Sequence, residues 1–135
     1  MRIAVISAPA SRRAPPDYVQ ALAKGMSSMG HNVDVIDAWT EDGFRLPGYE
    51  YVAVVAEPLS FFSGKIPQVV TKILSVGSSL TGKKSAAFII KTGLFSSRAL
   101  ANLMRTMEKE GMYINWSDIL LSGPHAEAVS KQIGT

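Results

Sequence analysis

The sequence predicts an α/β domain: a five-stranded parallel sheet covered by helices on both faces. Three observations carry this. Apolar runs recur, most clearly Tyr51–Ala56 (YVAVVA) and residues 85–90 (SAAFII). They are continuous rather than alternating, as in strands buried on both faces. Stretches with helical apolar spacing lie between the runs, and strands alternating with helices imply parallel pairing. Gly and Pro punctuate the junctions. A length of 135 residues fits one domain, residues 1–135.

In chain order, residues 2–7 (RIAVIS) are a first strand. The loop after it is rich in Ala, Pro and Arg. A helix starts near Pro15 or Pro16, with Asp17 in its first turn and Val19, Leu22, Ala23 and Met26 on one face. Gly30 stops it. Val33, Val35 and Ile36 alternate with Asp34 and Asp37, which predicts an edge strand. Residues 39–48 are a polar loop, so the helix expected between the second and third strands is lost or shrunken.

The third strand, Tyr51–Ala56, ends at Glu57-Pro58. Ile66, Val69, Val70 and Ile73 then follow helical spacing, with Pro67 in the first turn and Gly77 as the cap. After the turn at residues 81–84 comes the fourth strand, residues 85–90. Ser96 or Ser97 is placed to cap the next helix, whose stripe is Leu100, Leu103, Met104 and Met107, and Gly111 ends it. Residues 112–115 and 119–121 read as two strand pieces split by Trp116, Ser117 and Asp118. Gly123 and Pro124 open a last helix bearing Ala126, Val129 and Ile133. Trp39 and Trp116 are expected to pack at the sheet's ends.

Composition removes several chemistries. There is no cysteine and there are two histidines, His31 and His125, so a conventional metal site lacks ligands. The absence of cysteine suits a cytoplasmic protein. No run approaches the ~20 apolar residues of a membrane span, and the strand-like start by Ile3 leads us to expect no signal peptide. No Walker-type loop and no Gly-x-Gly-x-x-Gly occurs. The net charge of +3 is unevenly spread: residues 61–105 hold seven basic and no acidic side chains. That stretch could attract phosphates or an acidic partner; lysines spread over separate helices and turns would give the same count.

Taken together, these pieces resemble the flavodoxin-like family over nearly the whole chain. Residues 51–59 resemble its third strand, ending in a small residue, Pro and an aliphatic. Gly82-Lys83-Lys84 before residues 85–90 is similar to its fourth strand. Gly93, Leu100, Leu103 and Gly111 resemble its fourth helix, and residues 119–133 its final strand and helix. The resemblance implies a three-layer sandwich with strand order 2-1-3-4-5. It also implies flavin mononucleotide (FMN) at the carboxyl ends of the strands, held by three loops. Carried over, the phosphate loop is residues 7–17, with Ser7, Ser11, Arg12 and Arg13 as candidate ligands. The ring-flanking loops are residues 58–64, with Pro58, Leu59, Ser60, Phe61 and Phe62, and residues 92–97, with Thr92, Gly93 and Phe95.

The first loop departs from the family. It reads Ser7-Ala8-Pro9-Ala10-Ser11-Arg12-Arg13-Ala14-Pro15-Pro16, without Gly or Thr, and each of its three prolines lacks an N–H donor. Side chains would have to replace backbone donors, or the two arginines are simply solvated. Phe61 and Phe62 are read as ligand or interface contacts, and Phe95 as core or interface packing.

The resemblance therefore implies an FMN-binding redox protein, an electron carrier or a small NAD(P)H-dependent flavin reductase, with an acidic partner. The alternative is a module that has lost FMN and serves binding or assembly. A third reading is a phosphorylated small molecule held by Arg12 and Arg13. A homodimer would suit an exposed Phe61–Phe62 pair; nucleic acid is not expected as a partner.

Overall fold

The structure, a computed structural model, describes residues 1–75 and 80–133. The strands are β1 (Arg2–Ala8), β2 (Asn32–Asp37), β3 (Tyr51–Ala56), β4 (Lys84–Ile90) and β5 (Tyr113–Leu120). The helices are α1 (Asp17–Ser28), α2 (Gln68–Leu74), α3 (Ser96–Lys109) and α4 (Gly123–Ser130). All pairings are parallel, in the order β2-β1-β3-β4-β5. Between β2 and β3 only a 3-10 turn, Leu46–Gly48, remains of a crossover helix.

The three central strands are buried along nearly their whole length, which is why their sequences are apolar without alternation. Their side chains divide between two cores. Ala4, Ile6, Val52, Val54, Ala87 and Ile89 face α2 and α3. Ile3, Val5, Ala53, Val55, Ala86 and Phe88 face α1 and α4. The edge strands β2 and β5 are more open, as the Asp34 and Asp37 alternation anticipates.

Three expectations are corrected. The two strand pieces near the C-terminus are one strand. Ser85 pairs with Ile114 and Ala86 with Trp116, so Asn115 is an extra residue that bulges from the ladder. The buried Tyr51 hydroxyl donates to the Asn115 side-chain oxygen, which anchors the bulge. Trp116 consequently lies mid-strand on an exposed edge, not at the sheet's end. Neither Ser96 nor Ser97 caps α3: Phe95 holds the N-cap position and no side chain bonds there. The Gly77 cap expected for α2 lies outside the described residues.

The approach of α1 to α4 depends on Gly25. A Cβ there would lie 2.8 Å from the Glu127 carbonyl oxygen and would collide with the Ser130 side chain. Ala normally favours a helix over Gly by ~1 kcal/mol; here overpacking should outweigh that gain. Gly25→Ala is expected to destabilise the fold by about 1–2 kcal/mol, read from its denaturant midpoint. Adding Ser130→Ala should recover part of the loss, whereas a Gly25→Ala chain as stable as the parent would contradict the packing.

Candidate functional site

The three loops singled out in the sequence meet at the carboxyl ends of β1, β3 and β4. Strand register explains how. Ala8 pairs with Ala56, and the Glu57 N–H donates to the Ala8 carbonyl at 3.0 Å. The residues leaving β1 therefore run beside the residues leaving β3.

This juxtaposition puts the Glu57 carboxylate inside the first loop. Arg13 grips it with two nitrogens, each at 2.9 Å, and the Ala10 N–H donates to it at 2.9 Å. Paired forks of this kind are the stronger class of ion pair. The Glu57 side chain is 13% exposed and that of Arg13 42%. Burial alone would raise the Glu57 carboxyl's pKa; the Arg13 guanidinium and the Ala10 N–H outweigh it and hold the carboxyl below its ordinary value. Arg13 thus pairs with a carboxylate of its own chain, at the position where the resemblance implied a phosphate ligand. Ser11 and Arg12 are exposed, and their side chains make no hydrogen bond among the described residues. Ser7 is buried at the end of β1 and its hydroxyl has no partner. Pro16 caps α1 through its carbonyl, which accepts from Val19 and Gln20, and Asp17 occupies the first turn.

The other two loops touch. The Leu94 N–H donates to the Phe61 carbonyl at 3.1 Å. Gly93 packs on the same peptide: a Cβ there would lie 2.8 Å from the Phe61 carbonyl carbon and closer still to its oxygen. Pro58 is buried beneath the loop, while Leu59 and Ser60 are exposed. Phe61 and Phe62 are 53% and 71% exposed and pack edge to face, ring centres 4.9 Å apart. Phe95 is half-buried under the Arg98 guanidinium, 5.2 Å from the ring centre. The hydroxyls of Thr92 and Ser96 are buried without partners among the described residues.

Two features escaped the sequence reading. Glu57 looked like a strand terminator, although a carboxylate leaving β3 beside a loop with two arginines was the signal for its role. Leu94, 67% exposed, joins Phe61, Lys91, Thr92 and Gly93 around a hollow of about 460 Å³. A second groove, of about 310 Å³, runs between the β3–α2 loop and α3. Lys65, Arg105 and Lys109 line it, with Leu59 and Ile66, and none of its lining residues is acidic. Asn102 closes its floor by donating to the Gly64 carbonyl at 2.7 Å.

These residues do not fit FMN. Arg13 and the Ala10 N–H serve Glu57, and a ligand phosphate would enter beside that carboxylate. A flat ring held between two loops needs ~3.5–4 Å to carbon atoms on each side, and no such gap exists where Gly93 meets the Phe61 peptide.

The Glu57 cluster carries a pH signature. Its carboxyl pKa is depressed on folding, so the stabilisation is complete above the unfolded-state value and is lost as pH falls through the folded-state value. Glu57→Gln should cost about 1–2 kcal/mol at neutral pH, discounted for Arg13's exposure. That difference should vanish in acid, as measured by denaturant unfolding across pH. A pH-independent difference would contradict the assignment.

No protein-family model matches the sequence, and no curated protein matches it. Solved structures do. Oxidised flavodoxin 1 from Bacillus cereus superposes with a TM-score of 0.71 at 17% identity, covering 99% of this chain and 95% of that one. A flavodoxin from the domain Archaea gives 0.70 at 17% identity, covering 98% and 96%. The flavoenzyme NAD(P)H:(acceptor) oxidoreductase FerB from Paracoccus denitrificans gives 0.65 at 12% identity, covering 84% and 74%. At such identities the likeness concerns architecture, and on that ground the chain has the flavodoxin-like fold.

Proposed function

We propose that this chain is a flavodoxin-fold binding module that works without FMN and seats an acidic segment of a partner protein. The observation that carries this reading is the contact between the second and third rim loops, Leu94 N–H to Phe61 carbonyl, with Gly93 pressed on the same peptide. It bridges the two loops that would flank a flavin ring, while the side chains beside it stay exposed.

The partner's chemistry follows from the groove along α3. Arg98, Asn102, Arg105 and Lys109 recur at helical spacing on one stripe, and Lys65 faces them from the β3–α2 loop. Leu59 lines the groove, and Phe61 and Phe62 are exposed on the same loop. A carboxylate-bearing segment with an aliphatic or aromatic anchor satisfies both parts: charge steers it and the anchor holds it. The groove is sized for side chains rather than for a nucleic-acid backbone, which needs a longer basic track with stacking platforms.

A second reading, an FMN-dependent electron carrier or small flavin reductase, is favoured by one specific observation. Three buried hydroxyls at the rim, Ser7, Thr92 and Ser96, lack partners among the described residues, and a ligand could supply them. It ranks second because the Phe61–Leu94 contact bridges the ring-flanking loops and Glu57 sits among the first loop's donors.

Titration of FMN with the purified chain decides between the two: we expect no flavin quenching at high micromolar protein, and micromolar quenching would establish the second reading instead. For the partner, a labelled peptide of Glu with interspersed Phe should bind with micromolar affinity. Arg105→Glu with Lys109→Glu should weaken it about tenfold or more. Tighter binding of a single-stranded oligonucleotide than of the peptide would overturn the assignment.

A further inference from the structure

We propose that Glu57 is the resident anion of the β1–α1 loop: its carboxylate takes the donors that a ligand oxyanion would take, so the loop is an anion site with a built-in occupant, and Glu57 is the residue that excludes phosphorylated ligands from the rim. This goes beyond the binding-module reading, and the acidic-peptide experiment tells the two apart.

The donor set is what an oxyanion requires. A guanidinium fork and a backbone N–H converge on one pair of oxygens, each contact at 2.9 Å. Such convergent N–H groups beside a helix start are how phosphates are held. Here the loop precedes α1, the 12-residue helix that packs against the sheet. A second, independent feature lies at the start of the same loop. Ser7 is 1% exposed at the end of β1, and its hydroxyl has no partner. It is a spare donor at the root of the loop.

Glu57 reaches the loop because β1 and β3 pair in register to their last residues. An acidic residue at this one position therefore arrives as an anion tethered to the sheet. A tethered anion needs no association entropy, so it outcompetes a free one of similar chemistry. The prolines fit this arrangement. With Pro9, Pro15 and Pro16 the loop gives up backbone donors, a loss that matters little when a two-oxygen carboxylate replaces a four-oxygen phosphate. The depressed carboxyl pKa agrees with an ion held by convergent donors.

An ordinary structural ion pair would share the geometry but not one consequence: with Glu57 removed, the vacated donors should accept inorganic phosphate. The thermal midpoints of the parent, Glu57→Ala, and Glu57→Ala with Arg13→Ala are measured in phosphate and in chloride at matched ionic strength. Glu57→Ala should fall by about 5 °C in chloride and regain at least half of that in phosphate. The parent and the double variant should show only the small general stabilisation that phosphate gives any fold. Should Glu57→Ala not fold, Glu57→Gln is read instead by ³¹P line broadening of inorganic phosphate, broad for the variant and sharp for the parent. Absence of phosphate-specific rescue or broadening in the variants, or an equal effect on the parent, overturns the proposal. Flavin quenching by the parent would overturn this proposal too, since FMN carries a phosphate, whereas failure of the acidic peptide to bind would remove the binding-module reading alone.

Discussion

Glu57 leaves β3 one residue beyond its last ladder partner, and from there its carboxylate ties two of the three rim loops together. Arg13 and the Ala10 N–H come from the first loop, and the carboxylate from the second. The second loop is tied in turn to the third, through the Phe61 carbonyl and the Leu94 N–H. The rim is thus closed in series from β1 to β4 by groups of the chain itself. Each link is a contact of ordinary strength, but they act on segments already fixed by parallel pairing. Little backbone freedom remains to be lost in forming them.

That closure separates scaffold from ligand chemistry. Open α/β sheets place ligands beyond the carboxyl ends of their strands because the loops diverge there. In this chain the divergence is bridged by backbone contacts, and apolar side chains on the loops stay accessible. Leu59, Phe61, Phe62 and Leu94 are turned outward, and the basic stripe of α3 runs alongside. The uneven charge of the sequence acquires a location in this way. Lys65, Arg98 and Arg105 belong to the stretch without carboxylates, and with Lys109 they lie along α3 and the β3–α2 loop. Among the described residues no helix is long and apolar enough to cross a membrane.

The architecture was legible because burial on both faces leaves a direct trace: YVAVVA and SAAFII carry no alternation, and NVDVID does. The shrunken crossover before β3 was legible for the same reason, since residues 39–48 lack any helical stripe. The bulge at Asn115 was not. Its cause is a partner 64 residues away, the Tyr51 hydroxyl, and local polarity there mimics a strand break. The cap of α3 misled because serine favours that position in general, whereas here Phe95 is held by Arg98 stacking over its ring. At the rim, residue types were readable but pairings were not. Arg12 and Arg13 are neighbours of equal propensity, yet only Arg13 meets Glu57, a distinction made by the register of β1 with β3 and by nothing within the loop.

The central claim is that the rim is closed by the chain's own hydrogen bonds. Amide hydrogen exchange at Ala10 and Leu94 tests it most directly, since both N–H groups lie in loops that would exchange freely if open. The account requires both to be protected well beyond neighbouring loop amides, and equally so with and without saturating FMN. Unprotected exchange at either amide, or protection that changes when FMN is added, would contradict it.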